Sequence, residues 1–460
     1  MLRTGNEYLE QIERRRIELT VGTRRSTRIE EPALVRQAHE VARYYERQAT
    51  SPATSVRMPG GERRGWVHHL PRTRDELRQK SDALLALARG YEGFLGRAPD
   101  YMGVLIPAYG SASAHFGEYG ENIAEFAATV ATYDLFVTHS TTALRSRTGA
   151  NTDLEVVEHG KSGLVVRGAR AMATSAPLSD EIFILPQPPG GVRSRATLVA
   201  SIPIETEGLH FVCREPFPGR SRIASSYEEC DCLAVFEDVF IPRGRVFVYD
   251  PDVPTEAWRT RSDGAAHLCL QTNARAIAKL ESLIGLAQYA ADVYGFDTSD
   301  DFKAAAGRAI RDLGLLVACQ RSAIDDGALS ALGVFTPALF PLNSARVFFI
   351  DAYPRIVGQL RHIIGGELYH LFSTEAMERG AAEILGARWG LAGGEIAARE
   401  RLTACLYDLF LSDFGTRQEL YEAHYIGSER RNAIRMWDAH RPEAPAWDDL
   451  RLSDPPGSRR

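Results

Sequence analysis

The property that most restricts what this chain can fold into is the order in which its hydrophobic periods change. Helical spacing dominates to about residue 135, short alternating runs replace it to about residue 249, and helical spacing returns from about Ala266. Residues 8–18 form a charged amphipathic opening, and 31–48 place Ala33, Leu34, Ala38, Val41 and Tyr44 on one helical face. Residues 51–65, rich in Pro, Gly, Ser and Arg, read as a loop. Thr73 followed by Glu76 has the capping-box pattern, so a helix is expected from there to about Phe94. Pro99 suits the first turn of the next helix, where its missing N–H is not needed. In the middle, 154–158 and 163–167 flank His159-Gly160-Lys161-Ser162 as a hairpin, with further strands over 181–185, 195–204, 209–213 and 232–236. Beyond a linker marked by Pro251 and Pro254, helices are expected over 271–294, 301–325, 375–385 and 396–414. The expected fold is α+β: an N-terminal helical domain (1–135), a central β-barrel domain (136–260) and a C-terminal helical bundle (261–460) with a loose tail from about 442.

Bulk properties narrow the function. A formal charge of −6 gives no broad positive field, so neither nucleic acid nor an anionic membrane is an expected partner. No run approaches the roughly 20 apolar residues of a membrane span, and residues 1–16 are polar and charged, which points to the cytoplasm. The six cysteines form no C-x-x-C pair; Cys230 and Cys232, one residue apart, are read as ordinary reduced thiols. No H-E-x-x-H or spaced Cys/His set is present, and no metal site is expected. His68 and His69 are adjacent, so in an extended strand they would point to opposite sides and are read as surface residues. Asp408, Asp413 and Glu367 are read as solvated or capping carboxylates. No G-x-G-x-x-G follows a strand, so there is no nicotinamide fingerprint.

The chemistry-bearing stretch is Gly96-Arg97-Ala98-Pro99-Asp100-Tyr101-Met102-Gly103. It sets a permanent cation, a carboxylate and a phenol within five positions. Further on, His139 stands among the hydroxyls of Thr138, Ser140, Thr141 and Thr142. Arg97, Tyr101 and His139 together would make a compact pocket for a small oxyanion or phenolate.

Seven stretches, taken in order, resemble one family. They are Arg3-Thr4-Gly5 with Tyr8-Leu9, Gly96 to Met102, Leu135-Phe136-Val137-Thr138-His139, Val165 to Thr174, Phe236 to Pro242, Gly365-Gly366, and Tyr421 to Gly427. The set resembles the 4-hydroxyphenylacetate 3-hydroxylase family, the oxygenase components of two-component flavin-dependent monooxygenases. The resemblance implies the acyl-CoA dehydrogenase-like fold, a homotetramer, and FAD used as FADH2 delivered by a separate flavin reductase. It further implies that O2 hydroxylates a phenolic substrate ortho to its hydroxyl through a flavin hydroperoxide. Oxidation at nitrogen, or an acyl-CoA dehydratase or dehydrogenase of the same fold, are the alternatives. Dehydratase relatives hold an iron–sulfur cluster, and here Arg97 and Tyr101 occupy that motif with no cysteine in it.

The resemblance also assigns residues. Arg97, Tyr101 and His139 would gather around the substrate hydroxyl, with His139 titrating near neutrality to move a proton. His139, Ser140, Thr141, Arg145, Thr174, Tyr425, Ile426, Gly427 and Ser428 would bind the flavin, and Arg145 or Arg147 would meet its phosphates. After Thr141 the family's Asn-Pro-Gln run is replaced by Thr142-Ala143-Leu144-Arg145-Ser146-Arg147, and its Gly-Asp-Pro by Gly427-Ser428-Glu429. His424 stands where the family has an aromatic. The loops at 110–118 and 203–214 are expected to set the choice of phenol.

Overall fold

The structure is a computed structural model that describes residues 2–15, 17–27, 30–144, 147, 153–186, 197–250, 261–369, 380, 383–384, 386, 393–425 and 427–441. The chain opens with α1 (Gly5–Arg14), the strands β1 (Glu18–Val21) and β2 (Arg24–Thr27), α2 (Pro32–Thr50) and the small hairpin of β3 (Ser55–Arg57) and β4 (Arg63–Gly65). Then come α3 (Arg74–Arg89), α4 (Pro99–Ser111) and α5 (Gly120–Tyr133). Thr73 caps α3 through its side chain, as its position ahead of Glu76 implied. That helix stops at Arg89 because the next turns need the left-handed region, at Glu92 and Gly93. Any Cβ at Gly93 would meet the backbone N of Lys279 at 2.5 Å, so the turn is fixed by the close approach of a later helix.

The middle carries β5 (Val137–Ser140), β6 (Glu155–Gly160), β7 (Gly163–Arg170), β8 (Glu181–Ile184), β9 (Thr197–Pro203), β10 (Leu209–Cys213), α6 (Arg222–Tyr227), β11 (Cys232–Pro242) and β12 (Val246–Asp250). These strands do not close into the barrel expected from the sequence. They form two open sheets, one ordered β2-β1-β10-β11-β7-β6 and one ordered β12-β9-β8-β5. The larger one recruits β1 and β2 from the N-terminal segment, with β1 parallel to β10, so residues before 135 are not wholly helical. Val166 and Phe236 of one sheet and Ile182, Ile184 and Ala200 of the other share one apolar core.

The smaller sheet is covered on both faces, and β8 is therefore buried at every position. Ile182 and Ile184 face the main core. Phe183, one position out of phase, packs with Val137, Val199 and Phe247 against Tyr109, Ile123 and Phe126 of α4 and α5. In α4 every residue from Pro99 to Tyr109 is buried, and its one charged side chain there, Asp100, accepts from the Tyr91 hydroxyl at 3.1 Å.

The C-terminal part is α7 (Gly264–Tyr294), α8 (Asp300–Asp325), the short pair β13 (Ala328–Leu329) and β14 (Phe335–Thr336), α9 (Leu339–Leu368), α10 (Gly393–Phe410), α11 (Asp413–His424) and α12 (Glu429–His440). Of the helix expected over 375–385 only 380 and 383–384 are among the described residues, and the tail from about 442 lies outside them. Among the described residues no helix is long and apolar enough to cross a membrane.

Candidate active site

The site is assembled where α4, β5, α7 and the end of α11 meet. Pro99 opens α4, which leaves Arg97 just ahead of the helix and Tyr101 in its first turn. Gly96 is held small because a Cβ there would strike the Tyr421 ring at 2.1 Å. The backbone N–H of Arg97 donates to Glu229 Oε1 at 2.7 Å, and Glu229, itself buried, accepts from Arg417 at 3.1 Å. The Arg97 guanidinium then lies over three phenol rings, 4.1 Å from the centroid of Tyr101, 4.6 Å from Tyr425 and 5.6 Å from Tyr421. Burial opposes its charge, but Tyr421, Tyr101, Tyr425 and Glu229 outweigh burial and keep it a cation.

His139 projects from a fully buried strand, its ring 5.2 Å from that of Tyr101. Burial first, and the Arg97 charge second, push it well below its ordinary range. The imidazole is neutral at pH 7, which corrects the expectation that it titrates near neutrality. Tyr425 completes the cluster, 5.4 Å from the Tyr101 ring, with Arg97 at 4.6 Å and Arg275 at 4.3 Å from its centroid.

Beneath Tyr425 lies a buried charge network. Arg275 grips Glu422 with both nitrogens, at 2.8 and 2.5 Å, and Lys279 Nζ reaches the same carboxylate at 2.6 Å. Burial resists the Glu422 charge, yet Arg275 and Lys279 bring its carboxyl down to about 2. Lys279 is pushed down to about 8, burial together with the Arg275 charge outweighing Glu422 and Glu229. The carboxylate, facing two cations, is the group the network stabilises.

Several polar atoms here are buried without a hydrogen-bond partner: Arg97 Nε, His139 Nδ1, Ser140 Oγ, Tyr421 Oη and Tyr425 Oη. Each such group costs stability unless a ligand satisfies it. They gather beside a cavity of about 450 Å³ lined by Arg97, Tyr101, Leu105, Tyr109, His139, Thr141, Met172, Cys269, Thr272, His424, Tyr425 and Gly427. Arg346 of α9 and Arg431 and Arg435 of α12 line the same cavity. Its size suits a small-molecule site.

Of the residues singled out in the sequence, Arg97, Tyr101, His139, Thr141, Tyr425 and Gly427 share this cavity. Gly427 adopts φ +93, which favours glycine. Ser140 is buried beside His139 but is not on the wall. Thr174 is occupied elsewhere: its hydroxyl donates to Asp231 at 2.9 Å and its carbonyl accepts from Thr138 at 2.6 Å. Ser428 caps no helix with its side chain and lies off the wall, as does the exposed Arg147. Arg145 and Ile426 lie outside the described residues. The loops at 110–118 and 203–214 are likewise not on the wall. The three arginines of α9 and α12 were not anticipated; only the spacing of Arg431 and Arg435, four apart on one helix face, carried a signal.

Known proteins place this geometry. A profile of the 4-hydroxyphenylacetate 3-hydroxylase N-terminal region matches residues 4–248, and one of the C-terminal region matches 256–445. The chain belongs to the 4-hydroxyphenylacetate 3-hydroxylase family. The oxygenase component of 4-hydroxyphenylacetate 3-monooxygenase from Thermus thermophilus is 30% identical, over 96% of this chain and 95% of that one. A crystal structure of such a component complexed with FAD and 4-hydroxyphenylacetate is 28% identical, with a TM-score of 0.88 over 98% of both chains. An archaeal 4-hydroxybutyryl-CoA dehydratase is 16% identical with a TM-score of 0.80 over 95% of this chain and 92% of that one, a likeness of fold alone.

The fold is therefore acyl-CoA dehydrogenase-like, and as a family member the protein is a flavin-dependent monooxygenase with FAD as cofactor. The residues suit that group. Unsatisfied polar atoms, phenol rings and arginines able to meet phosphate border one cavity. An iron–sulfur cluster does not fit: Cys269 is the one cysteine lining this cavity, and among the described residues the only close set of three metal-type donors is elsewhere.

Proposed function

We propose that the enzyme hydroxylates a phenol ortho to its hydroxyl, with O2 as oxidant and reduced FAD arriving from a separate flavin reductase. The observation that carries this is the convergence of a permanently charged Arg97, a neutral His139 and the Tyr101 phenol on one cavity, two of the three with an unsatisfied buried nitrogen. Bound reduced FAD supplies the activation of O2.

The chain's own residues prepare the aromatic ring. Arg97, fixed by Glu229, favours the ionised phenol because a cation at close range in a water-poor site stabilises the phenolate. A phenolate is more electron-rich than a phenol, and its ortho carbon is the more reactive for it. His139, being neutral, carries one N–H and one free lone pair, and hydrogen-bonds the substrate oxygen without adding charge. Tyr101 donates its O–H to the same oxygen and is held by Arg97 over its face. Leu105, Tyr109 and Met172 exclude water from the ring. Thr141, Tyr425 and Gly427 hold the flavin, and Arg346, Arg431 and Arg435 take the phosphate-binding role assigned from sequence to Arg145 or Arg147. The assembly is a cytoplasmic homotetramer; exposed Tyr289, Ile310, Leu315, Leu420 and Trp437 on the C-terminal helices supply apolar surface for it.

The test is to mix the protein with chemically reduced FAD, O2 and a panel of phenols, and to identify products by mass and regiochemistry. Catechols formed without acyl-CoA support the reading. Consumption of reduced FAD with no hydroxylated product from any phenol defeats it.

A further inference from the structure

We propose that Cys213, Cys230 and Cys232 form a binding site for one thiophilic closed-shell metal ion, of the class of Zn²⁺ and Cd²⁺, outside the flavin cavity.

Strand geometry builds the site. Cys213 of β10 stands directly opposite Cys232 of β11 in an antiparallel pair, so the two side chains share a face. Cys230 precedes Cys232 by two residues, and the period of an extended chain returns it to that face. The sulfurs are 2.8 Å apart for Cys213 and Cys232 and 3.3 Å apart for Cys230 and Cys232, and all three lie within 4.8 Å of one another.

The backbone is pinned around them. The carbonyl of Cys230 accepts from the Ser175 N–H at 2.8 Å, that of Cys232 accepts from the Ala173 N–H at 3.0 Å, and the Cys230 N–H donates to Gln37 Oε1 at 3.3 Å. A tetrahedral ion about 2.3 Å from each sulfur needs the sulfurs about 3.8 Å apart. The 2.8 Å pair reaches that spacing by opening about 1 Å, within the reach of a χ1 adjustment. A disulfide would use two of these thiols and leave the third facing it; convergence of three soft donors is what a metal requires.

An arriving ion displaces the thiol protons. Cys230 lines a small surface cavity with Glu31, Arg214 and Glu228, which gives an ion a way in and leaves the fourth position to a solvent molecule. The residues between the thiols point the other way. Glu229 and Asp231 pair with Arg417, and Glu229 also anchors Arg97.

The experiment titrates Cd²⁺ alone into the full chain, reduced and freed of metal, following ultraviolet sulfur-to-cadmium charge transfer and the cadmium retained after desalting. One cadmium per chain is expected, with the band lost in Cys213→Ser and Cys232→Ser. Because those two thiols are in the core, Cys230→Ala, at the partly exposed position, keeps the test decisive: it should weaken binding roughly tenfold or more and leave phenol hydroxylation unchanged. Absence of a saturable band, or equal binding by wild type and Cys230→Ala, overturns the proposal. So does a non-reducing intact mass two hydrogens light together with failure of the reduced chain to take up cadmium.

Discussion

The guanidinium carbon of Arg97 lies 4.1 Å from the centroid of the Tyr101 ring. The two residues are four apart, a spacing that would place them side by side on an ideal helix. Pro99 prevents that by starting α4 between them. Arg97 is instead placed above the aromatic face, its backbone N–H donating to Glu229 and its Nη1 to the Gly96 carbonyl at 3.4 Å, and its side chain lines the cavity.

Replacing that cation removes the main electrostatic support for phenolate. Arg97→Ala is expected to lower kcat/KM for phenol hydroxylation by about 10²-fold or more. Arg97→Lys should recover little, because an ammonium cannot reproduce the planar fork. Product yield with saturating reduced FAD is the readout, and unchanged yield in Arg97→Ala would put Arg97 outside the chemistry.

His139 is held neutral, far below its ordinary 6.5. The folded imidazole therefore carries no proton to lose as pH rises through neutrality. The kcat/KM profile of the wild type should show no inflection assignable to this group between about pH 6 and 8. An inflection in that window that disappears in His139→Asn would contradict a neutral imidazole.

Glu422 has a folded value of about 2 against an ordinary 4.5. The unfolded chain thus takes up the proton first as pH falls. The stabilisation from this carboxylate is complete above about 4.5 and is lost progressively towards 2. Glu422→Gln should be less stable at pH 7 by about 3–5 kcal/mol, since it strands Arg275 and Lys279 in the interior. Its melting temperature should also fall less steeply than that of wild type on acidification through this window. Parallel curves would show that the network does not govern acid stability.

Tyr425 has a buried hydroxyl with no partner. Tyr425→Phe should hold or raise thermal stability, by up to about 1 kcal/mol, because an unsatisfied polar atom is removed. The same change should weaken FAD binding several-fold if that hydroxyl meets the flavin. Unaltered flavin affinity would remove Tyr425 from the cofactor site.

What could be read from the sequence was what local chemistry decides. Thr73 as a cap, Pro99 as a first helical turn and the hairpin between β6 and β7 depend on neighbours a few positions away, and they stand as expected. Long-range pairing was not legible. β1 joins β10 across most of the N-terminal half and extends one of two open sheets, formed by strands that read as a barrel or sandwich. His68 was expected at the surface on the assumption of an extended strand. Residues 66–68 form a helical turn instead, and His68 is buried with its Nε2 2.8 Å from Asp134. Asp408, read as solvated or capping, is buried and accepts from Arg220 N–H at 2.8 Å and from Ser221 N–H and Oγ at 2.6 and 2.7 Å, just ahead of α6. In the site itself, Arg97, Tyr101 and His139 were visible because they sit in recognisable stretches. Arg346, Arg431 and Arg435 were not, since they reach the cavity from two separate helices.

The most direct measurement is the ionisation state of a bound chromophoric phenol. 4-Nitrophenol, whose phenolate absorbs in the visible, should be titrated with the protein at a pH below its solution pKa, with wild type and Arg97→Ala compared. If Arg97 clamps a phenolate, wild type should bind it with the phenolate band developed and Arg97→Ala should bind weakly without that band. Binding of the protonated phenol by wild type, or an equal phenolate band in both proteins, would contradict the clamp.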